Sequence, residues 1–133
     1  MEEKRIVQVK ELKEGKYVII DGEACKIVAF AHSKPGKHGG AKARIDAIGV
    51  FDNQRRTMMG PVDGNADVPV INKKTAQVLN VIGDKVQLMD MESYETFELP
   101  KPDDITGEFK SGGNVLYMEV MGKKKILQIQ STQ

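Results

Sequence analysis

Apolar and polar residues alternate along most of the chain with a period of two, which is the pattern of half-buried antiparallel strands. The pattern is clearest over residues 41–51, where small or apolar side chains are separated by Lys42, Arg44 and Asp46. No segment keeps a helical period for three turns, although Pro102–Ile105 could form one short helical turn. The sequence therefore predicts an all-β protein. Further strands are predicted at Tyr17–Ile20, Glu23–Phe30, Arg55–Met59, Ala76–Ile82, Lys85–Met89, Tyr94–Leu99, Val115–Met121 and Lys125–Ile129.

Turn-forming residues divide this strand-rich chain in two. Asp21-Gly22 lies between two β-forming runs and predicts a tight type I′ hairpin, which needs positive φ at both central positions. Residues 60–69 contain two glycines, two prolines and an asparagine, which indicate a break. A boundary within Val68–Ile71 gives predicted domains of residues 1–69 and 70–133. Two small barrels suit these lengths, because closure removes the exposed edges of short sheets.

Composition excludes several classes of protein. The longest apolar run is Ile27–Ala31, whereas a membrane-spanning helix needs about 20 apolar residues. The charged N-terminus, Met1–Arg5, lacks the apolar stretch of a signal peptide, and the single cysteine, Cys25, fits a reducing cytosol. With only two histidines, His32 and His38, the chain is not expected to hold a metal ion. The sequence therefore predicts a cytoplasmic protein that does not enter a membrane.

Charge is balanced overall but unevenly distributed. Lysine and arginine total 20 against 19 aspartates and glutamates, and this net charge of +1 argues against a protein that binds DNA by neutralising many phosphates. Between Glu23 and Asp46 the chain has no acidic residue, although it has several lysines there. Residues 84–108 hold eight acidic residues and two lysines. The near-neutral total thus hides one basic window and one acidic window.

Residues 33–40, inside the basic window, differ from the rest of the chain. Three glycines and a proline in eight residues disfavour regular structure, so an exposed loop between two strands is predicted, with Lys37 near its centre. A phosphate-binding P-loop is excluded, because Gly36-Lys37 is followed by His38 and a strand, not by Ser or Thr and a helix. Two interpretations remain. One is a basic hairpin tip without a special role, and the other is a lysine displayed to a modifying enzyme, to RNA phosphates or to a reaction centre.

The segment Ser33-Lys34-Pro35-Gly36-Lys37-His38-Gly39-Gly40-Ala41-Lys42 closely resembles the signature of the hypusine-containing translation factors, the archaeal and eukaryotic initiation factor 5A family. That signature reads Ser/Thr-Lys-x-Gly-Lys-His-Gly-x-Ala-Lys. Leu12–Val18 and Asp21–Val28 are also similar to the family, so the resemblance spans essentially the whole chain. It implies an N-terminal SH3-like barrel followed by a C-terminal OB-fold barrel. The chain lacks the N-terminal extension usual in eukaryotic members, so an archaeal-type member is expected.

The resemblance also implies a modification site at Lys37. In this family, deoxyhypusine synthase transfers an aminobutyl group from spermidine to the lysine, and a hydroxylase completes hypusine in eukaryotes. No other cofactor is implied. The lengthened side chain is thought to orient the P-site tRNA on the ribosome for peptide-bond formation, notably at proline-rich stalls, so the chain itself is not expected to be an enzyme. The modification loop consists of Ser33, Lys34, Pro35, Gly36, His38, Gly39 and Gly40, on either side of Lys37.

Basic residues near the loop are the predicted RNA contacts. They would bind phosphate groups, and such contacts position a protein on RNA without reading the base sequence. The candidates are Lys34, Lys42, Arg44, Arg55 and Arg56, the last two of which could equally be a solvated strand end. In the second barrel, few aromatic residues and acidic surroundings disfavour binding of single strands by stacking. A contact with ribosomal protein or tRNA is instead hypothesised around Lys123–Lys125.

Two alternative functions remain open at this point. One is a general RNA-binding or RNA-chaperone protein in which Lys37 stays unmodified. The other is an enzyme with Lys37 as nucleophile, which is disfavoured because only His38 lies near enough in sequence to act as a base. Cys25 and the pair Met58-Met59 are predicted to fill the core. The protein is expected to be a monomer.

Overall fold

Strands make up most of the computed structural model, which describes residues 4–33, 41–103, 105 and 107–130. They fall into two compact units, Met1–Val70 and Ile71–Gln133. Within the described residues the helical content is one 3-10 turn, Val9–Glu11. The strands are β1 Lys4–Gln8, β2 Tyr17–Ile20, β3 Glu23–Ser33, β4 Lys42–Gly49, β5 Arg55–Pro61, β6 Asn65–Pro69, β7 Ile71–Ile82, β8 Lys85–Asp90, β9 Thr96–Pro100, β10 Asn114–Val120 and β11 Lys123–Gln130.

The first unit contains an antiparallel four-stranded sheet, in the order β2-β3-β4-β5. The hairpin between β2 and β3 turns at Asp21 and Gly22, whose φ angles of 53° and 80° confirm the predicted positive-φ turn. Burial alternates along β4 as predicted, with Ala43, Ile45 and Ala47 all at most 1% exposed. The core of this unit comprises Val9, Leu12, Val18, Ile20, Cys25, Ile27, Ala43, Ile45, Ala47 and Ala66.

Two strands of the first unit were not anticipated from sequence. β1 and β6 pair antiparallel in a separate two-stranded sheet, with Val7 opposite Ala66. The turn-forming residues of 60–69 indicated a break, but Ala66 is buried at 6% exposure and packs into the core. Two segments so distant in the chain pair because burial and hydrogen bonding across the fold outweigh weak local strand propensity.

A β-bulge explains a pair of adjacent apolar residues in β3. The register against β4 shifts between Ile27 and Ala29, so Val28 is the extra residue. Ile27 is buried at 1% exposure, whereas Val28 is 38% exposed. Beyond the bulge, Phe30 packs against the core and Ala31 is exposed. The bulge therefore determines which residues of the distal half of β3 face solvent.

The second unit is a five-stranded antiparallel sheet in the order β11-β10-β7-β8-β9. The edge strands β11 and β9 approach each other, so the sheet curls around its core. That core comprises Ala76, Val78, Val86, Leu88, Val115, Tyr117 and Ile126. Together the curled sheets confirm the predicted all-β fold class. The helical turn predicted at Pro102–Ile105 includes Asp104, which lies outside the described residues.

Candidate nucleic-acid interface

The predicted modification loop joins two neighbouring strands of the first unit. Ser33 at the end of β3 pairs with Lys42 at the start of β4, and the connection between them carries Lys37. Lys34–Gly40 lie outside the described residues, so the structure gives no geometry for Lys37 or for the loop residues beside it. The described part of this site consists of the strands that flank the loop.

One face of the β3–β4–β5 sheet collects three of the predicted RNA contacts. The register places Ala31, Arg44 and Met59 in one row across the three strands. The next row is Ala29, Asp46 and Thr57. Because residues two apart in a strand share a face, Lys42 and Arg55 also belong here. We call this surface the cationic face; it comprises Ala29, Ala31, Lys42, Arg44, Asp46, Arg55, Thr57 and Met59.

Asp46 lies between two arginines of the cationic face. Its Oδ1 atom is 3.6 Å from Nε of Arg44, and its Oδ2 atom is 3.7 Å from Nη2 of Arg55. The Thr57 hydroxyl donates a 2.6 Å hydrogen bond to Oδ1. This hydrogen bond, aided by the two guanidinium groups, lowers the pKa of Asp46 below its usual value. The Asp46 side chain is 14% exposed, whereas those of Arg44 and Arg55 are 61% and 64% exposed.

Arg56 does not belong to the cationic face, contrary to its grouping with Arg55. Strand alternation turns it to the other side, where its side chain is only 18% exposed. Both of its terminal nitrogens donate to the Asp52 carboxylate, at 3.1 and 2.8 Å. Asp52 also accepts from the backbone of Gln54, and its pKa falls to about 2 chiefly because of the Arg56 hydrogen bonds. Arg56 is therefore engaged in an ion pair within the first unit and is not displayed beside Arg55.

Gly49 makes this Asp52–Arg56 pair possible. A Cβ atom at Gly49 would collide with the Asp52 carboxylate and lie 2.8 Å from Nη1 of Arg56. The pair can thus close over the backbone only where no side chain projects. Asp52 and Arg56 link the turn after β4 to the strand that follows it.

The predicted core methionines differ from each other. Met58 packs against the core of the first unit. Met59, the next residue, is 70% exposed and lies on the cationic face beside Arg44, so the core prediction is wrong for it. Cys25 has no exposed surface, as predicted for a core residue, and its burial raises the pKa of the thiol.

The second unit contains a buried carboxylate that sequence inspection missed. Asp90, 3% exposed at the end of β8, accepts a hydrogen bond from the hydroxyl of Tyr117. Its other oxygen accepts from the backbone N–H groups of Glu92 and Ser93, at 2.8 and 2.9 Å. These bonds lower the pKa of Asp90 to about 2, and burial raises that of Tyr117. The two backbone donors are local, as in a turn that an aspartate side chain can begin, but the Tyr117 hydroxyl comes from a distant strand, so the burial of the pair has no local signal.

Lys124, the middle residue of the proposed Lys123–Lys125 patch, is held within the second unit. Its side chain is 22% exposed and its Nζ atom lies 3.6 Å from the Glu119 carboxylate. The same nitrogen lies 5.1 Å from the centre of the Phe97 ring, within range of a cation–π interaction. Glu119 also accepts a 3.0 Å hydrogen bond from Lys74. Lys124 is thus not displayed as part of a free basic patch.

The described residues offer neither a metal-binding cluster nor a membrane-spanning helix. Among the described residues, no group of three or more His, Cys, Asp or Glu side chains is arranged to hold a metal ion. The same residues include no helix long and apolar enough to cross a membrane.

The described residues form a two-unit all-β protein whose first unit carries the cationic face. Comparisons with known proteins identify the class of protein to which it belongs. Residues 3–63 match the family model described as translation initiation factor 5A-like, N-terminal. Residues 70–130 match the model described as eukaryotic elongation factor 5A hypusine, DNA-binding OB fold. Both halves therefore resemble translation factors.

Similarity to individual relatives extends over nearly the full chain. Translation initiation factor 5A of Methanothermobacter thermautotrophicus is 54% identical over 94% of this chain and 96% of its own length. That of Methanopyrus kandleri is 55% identical over 96% and 95%. The solved structure of eukaryotic translation initiation factor 5A from Methanococcus jannaschii matches with a TM-score of 0.92 and 44% identity, covering 98% of this chain and all of the other. The chain belongs to the translation initiation factor 5A family, as the sequence signature indicated.

Proposed function

We propose that this protein is a translation factor that binds the ribosome beside the peptidyl-tRNA and promotes peptide-bond formation, especially at proline-rich stalls. It would act through a deoxyhypusine or hypusine side chain on Lys37. The observation that carries the proposal is the Gly36-Lys37-His38-Gly39 motif in a chain whose C-terminal half matches a family model named for hypusine. The cationic face on the strands that flank the motif supports it.

The proposed chemistry is one of positioning. An aminobutyl group lengthens the lysine and adds a second cationic nitrogen, so the modified side chain can reach a tRNA end that lysine cannot. Holding two reactants in a productive geometry can lower a barrier substantially without any bond being made by the positioning group. In this proposal the chain is not an enzyme, and it acts as a monomer in the cytoplasm. Its partners are the ribosome, the P-site tRNA and deoxyhypusine synthase, and it has no DNA or membrane partner.

The RNA contacts of the proposal are fewer than the sequence suggested. Lys42, Arg44 and Arg55 share the cationic face and are exposed, so we retain them as phosphate contacts. Lys34 stays a candidate on sequence grounds. Arg56 is omitted because Asp52 engages both of its terminal nitrogens. We further propose that the domains are residues 1–69 and 70–133, with the modification loop in the first.

The modification is tested by mass spectrometry on protein purified from its native host. We expect an added aminobutyl mass, with or without one further oxygen, on the peptide that contains Lys37. Lys37→Arg keeps the charge but removes the attachment point, so it should abolish stimulation of synthesis through proline-rich stalls while Tm stays nearly unchanged. Lys85→Arg, at an exposed lysine of the second unit, is the matched control and should retain the modification and the activity.

The alternative, a general RNA-binding protein with unmodified Lys37, gives a different result in the same experiment. Native protein would then lack the added mass, and Lys37→Arg would bind RNA and support synthesis like the wild type. The cationic face favours RNA contact under either function, so binding alone does not separate them. Full activity of Lys37→Arg would refute the proposed mechanism.

A further inference from the structure

We propose that Asp46 is a positioning residue that holds Arg44 and Arg55 together as a preorganised site for one backbone phosphate of RNA. The inference rests on the proposed function, because it assumes that the cationic face contacts RNA. It assigns a role in phosphate binding to an acidic residue, although a negative charge by itself repels phosphate.

The geometry of the three side chains supports this role. Arg44 and Asp46 lie two residues apart on one face of β4, and Arg55 reaches Asp46 diagonally from β5, where its partner in register is Ile48. The two guanidinium groups contact different oxygens of the carboxylate, at 3.6 and 3.7 Å. One carboxylate thus pairs with two arginines that belong to adjacent strands.

Asp46 is itself held in place. Thr57, directly opposite Asp46 in register, donates its hydroxyl hydrogen to Oδ1 at 2.6 Å. The carboxylate is largely covered, at 14% side-chain exposure, whereas more than half of each arginine side chain is exposed. An incoming phosphate would therefore meet the guanidinium groups before it meets the negative charge.

The arginines keep donors for a ligand. A guanidinium group has five N–H donors, and the contacts to Asp46 involve Nε of Arg44 and Nη2 of Arg55. Planar guanidinium groups suit bidentate recognition of phosphate oxygens. The neighbours in β3 are small, because Ala31 lies opposite Arg44 and Ala29 lies opposite Asp46. A nucleic-acid backbone can thus approach the sheet closely at this point.

Preorganisation is what Asp46 would contribute. Two free arginines of like charge repel each other, and each loses side-chain freedom when it binds a ligand. With the carboxylate between them, part of that ordering is in place before the phosphate arrives. A simple charge effect predicts the opposite, since removal of a negative charge from a phosphate-binding surface should tighten binding.

The test is therefore whether removing the negative charge of Asp46 weakens RNA binding or tightens it. Asp46→Asn in the full chain raises the net charge by one, and affinity would be measured for a short RNA hairpin with a single-stranded 3′ end. We expect binding to weaken roughly threefold or more, and the slope of log affinity against log salt to fall by up to about one phosphate contact. Tighter or unchanged binding would overturn the positioning role.

Two further variants control for charge and for folding. Asp67→Asn makes the same change of charge on β6, where Asp67 pairs with Lys4 at 3.7 Å, and it should leave affinity unchanged or slightly increased. Thr57→Val keeps the net charge but removes the hydroxyl that holds Asp46, and it should weaken binding less than Asp46→Asn does. If Asp46→Asn does not fold, Thr57→Val decides, and wild-type affinity in Thr57→Val would overturn the inference.

Arg44→Ala separates this inference from the function on which it rests. Unchanged affinity in Arg44→Ala would mean that Arg44 does not contact the RNA, so the positioning role and the phosphate contacts proposed for the cationic face would both fall, whereas the modification of Lys37 is tested separately by mass spectrometry. Weaker binding in Arg44→Ala together with tighter binding in Asp46→Asn would retain the RNA contact and reject only the positioning role.

Discussion

Asp46 in the first unit and Asp90 in the second are both aspartates on strands that accept a hydrogen bond from a hydroxyl group, and both have a lowered pKa. They differ in their other partners. Asp46 faces two arginines whose side chains are mostly exposed, whereas Asp90 is buried and accepts from the backbone of its own turn. The first arrangement directs charge towards solvent, and the second consumes its hydrogen-bonding capacity inside the fold.

This contrast separates a carboxylate that serves binding from one that serves stability. Removing a buried acceptor leaves its donors unsatisfied, which costs free energy of unfolding. Asp46 is less deeply buried than Asp90 and its arginine partners are mostly exposed, so water can hydrate the partners that an Asp46 variant releases, and the cost to folding is smaller. We therefore expect Asp90 variants to lose stability and Asp46 variants to lose RNA affinity.

The largest expected effect is that of Asp90→Ala. It would leave the Tyr117 hydroxyl and two turn N–H groups without their acceptor, at a cost of about 2–4 kcal/mol in the free energy of unfolding. Urea denaturation measures this loss, with Asp46→Asn as the comparison. Equal losses in the two variants would break the distinction drawn between the two carboxylates.

Tyr117→Phe should have the next largest effect, a loss of about 1–2 kcal/mol in the free energy of unfolding, because it removes one donor to Asp90 and keeps the ring that packs on Phe97.

The folded-state pKa of Asp90 is about 2, against 3.8 when unperturbed. Its contribution is thus complete above about pH 4 and is lost as pH falls towards 2.

The acid limb of that stability curve distinguishes the two carboxylates further. Asp90→Asn should reduce the loss of stability between about pH 4 and pH 2. Chemical denaturation at each pH measures that loss. Asp52, whose folded-state pKa is also about 2, contributes to the same limb in the first unit. An unchanged acid limb in Asp90→Asn would contradict the assignment of a low pKa to the buried carboxylate.

The smallest effects are expected from the adjacent arginines, which extend the comparison to neighbouring residues. Arg55→Lys should lower RNA affinity a few-fold with little change in Tm, because lysine lacks the planar fork. Arg56→Lys should lower Tm by a few degrees and leave RNA affinity unchanged, because it loses the two-point contact with Asp52. Similar profiles for the two variants would contradict their placement on opposite faces.

Local features of the fold could be predicted from the sequence, and features that depend on distant contacts could not. The Asp21-Gly22 hairpin and the alternation of β4 were predicted correctly, because each depends on residues close in the chain. β1 and β6 were missed, since their pairing joins opposite ends of the first unit. The modification at Lys37 stays a prediction from the sequence signature, because the loop lies outside the described residues.

The sequence by itself determined the all-β class and the family signature around Lys37, both of which are carried by neighbouring residues. Only the tertiary structure decided which basic residues face the same way. Arg55 and Arg56 are adjacent residues of the same type, but because side chains alternate along a strand, Arg55 lies on the cationic face and Arg56 pairs with Asp52. Likewise, Asp46 and Asp90 are the same residue type, and the difference between them arises from the strands and turns that the fold places around each.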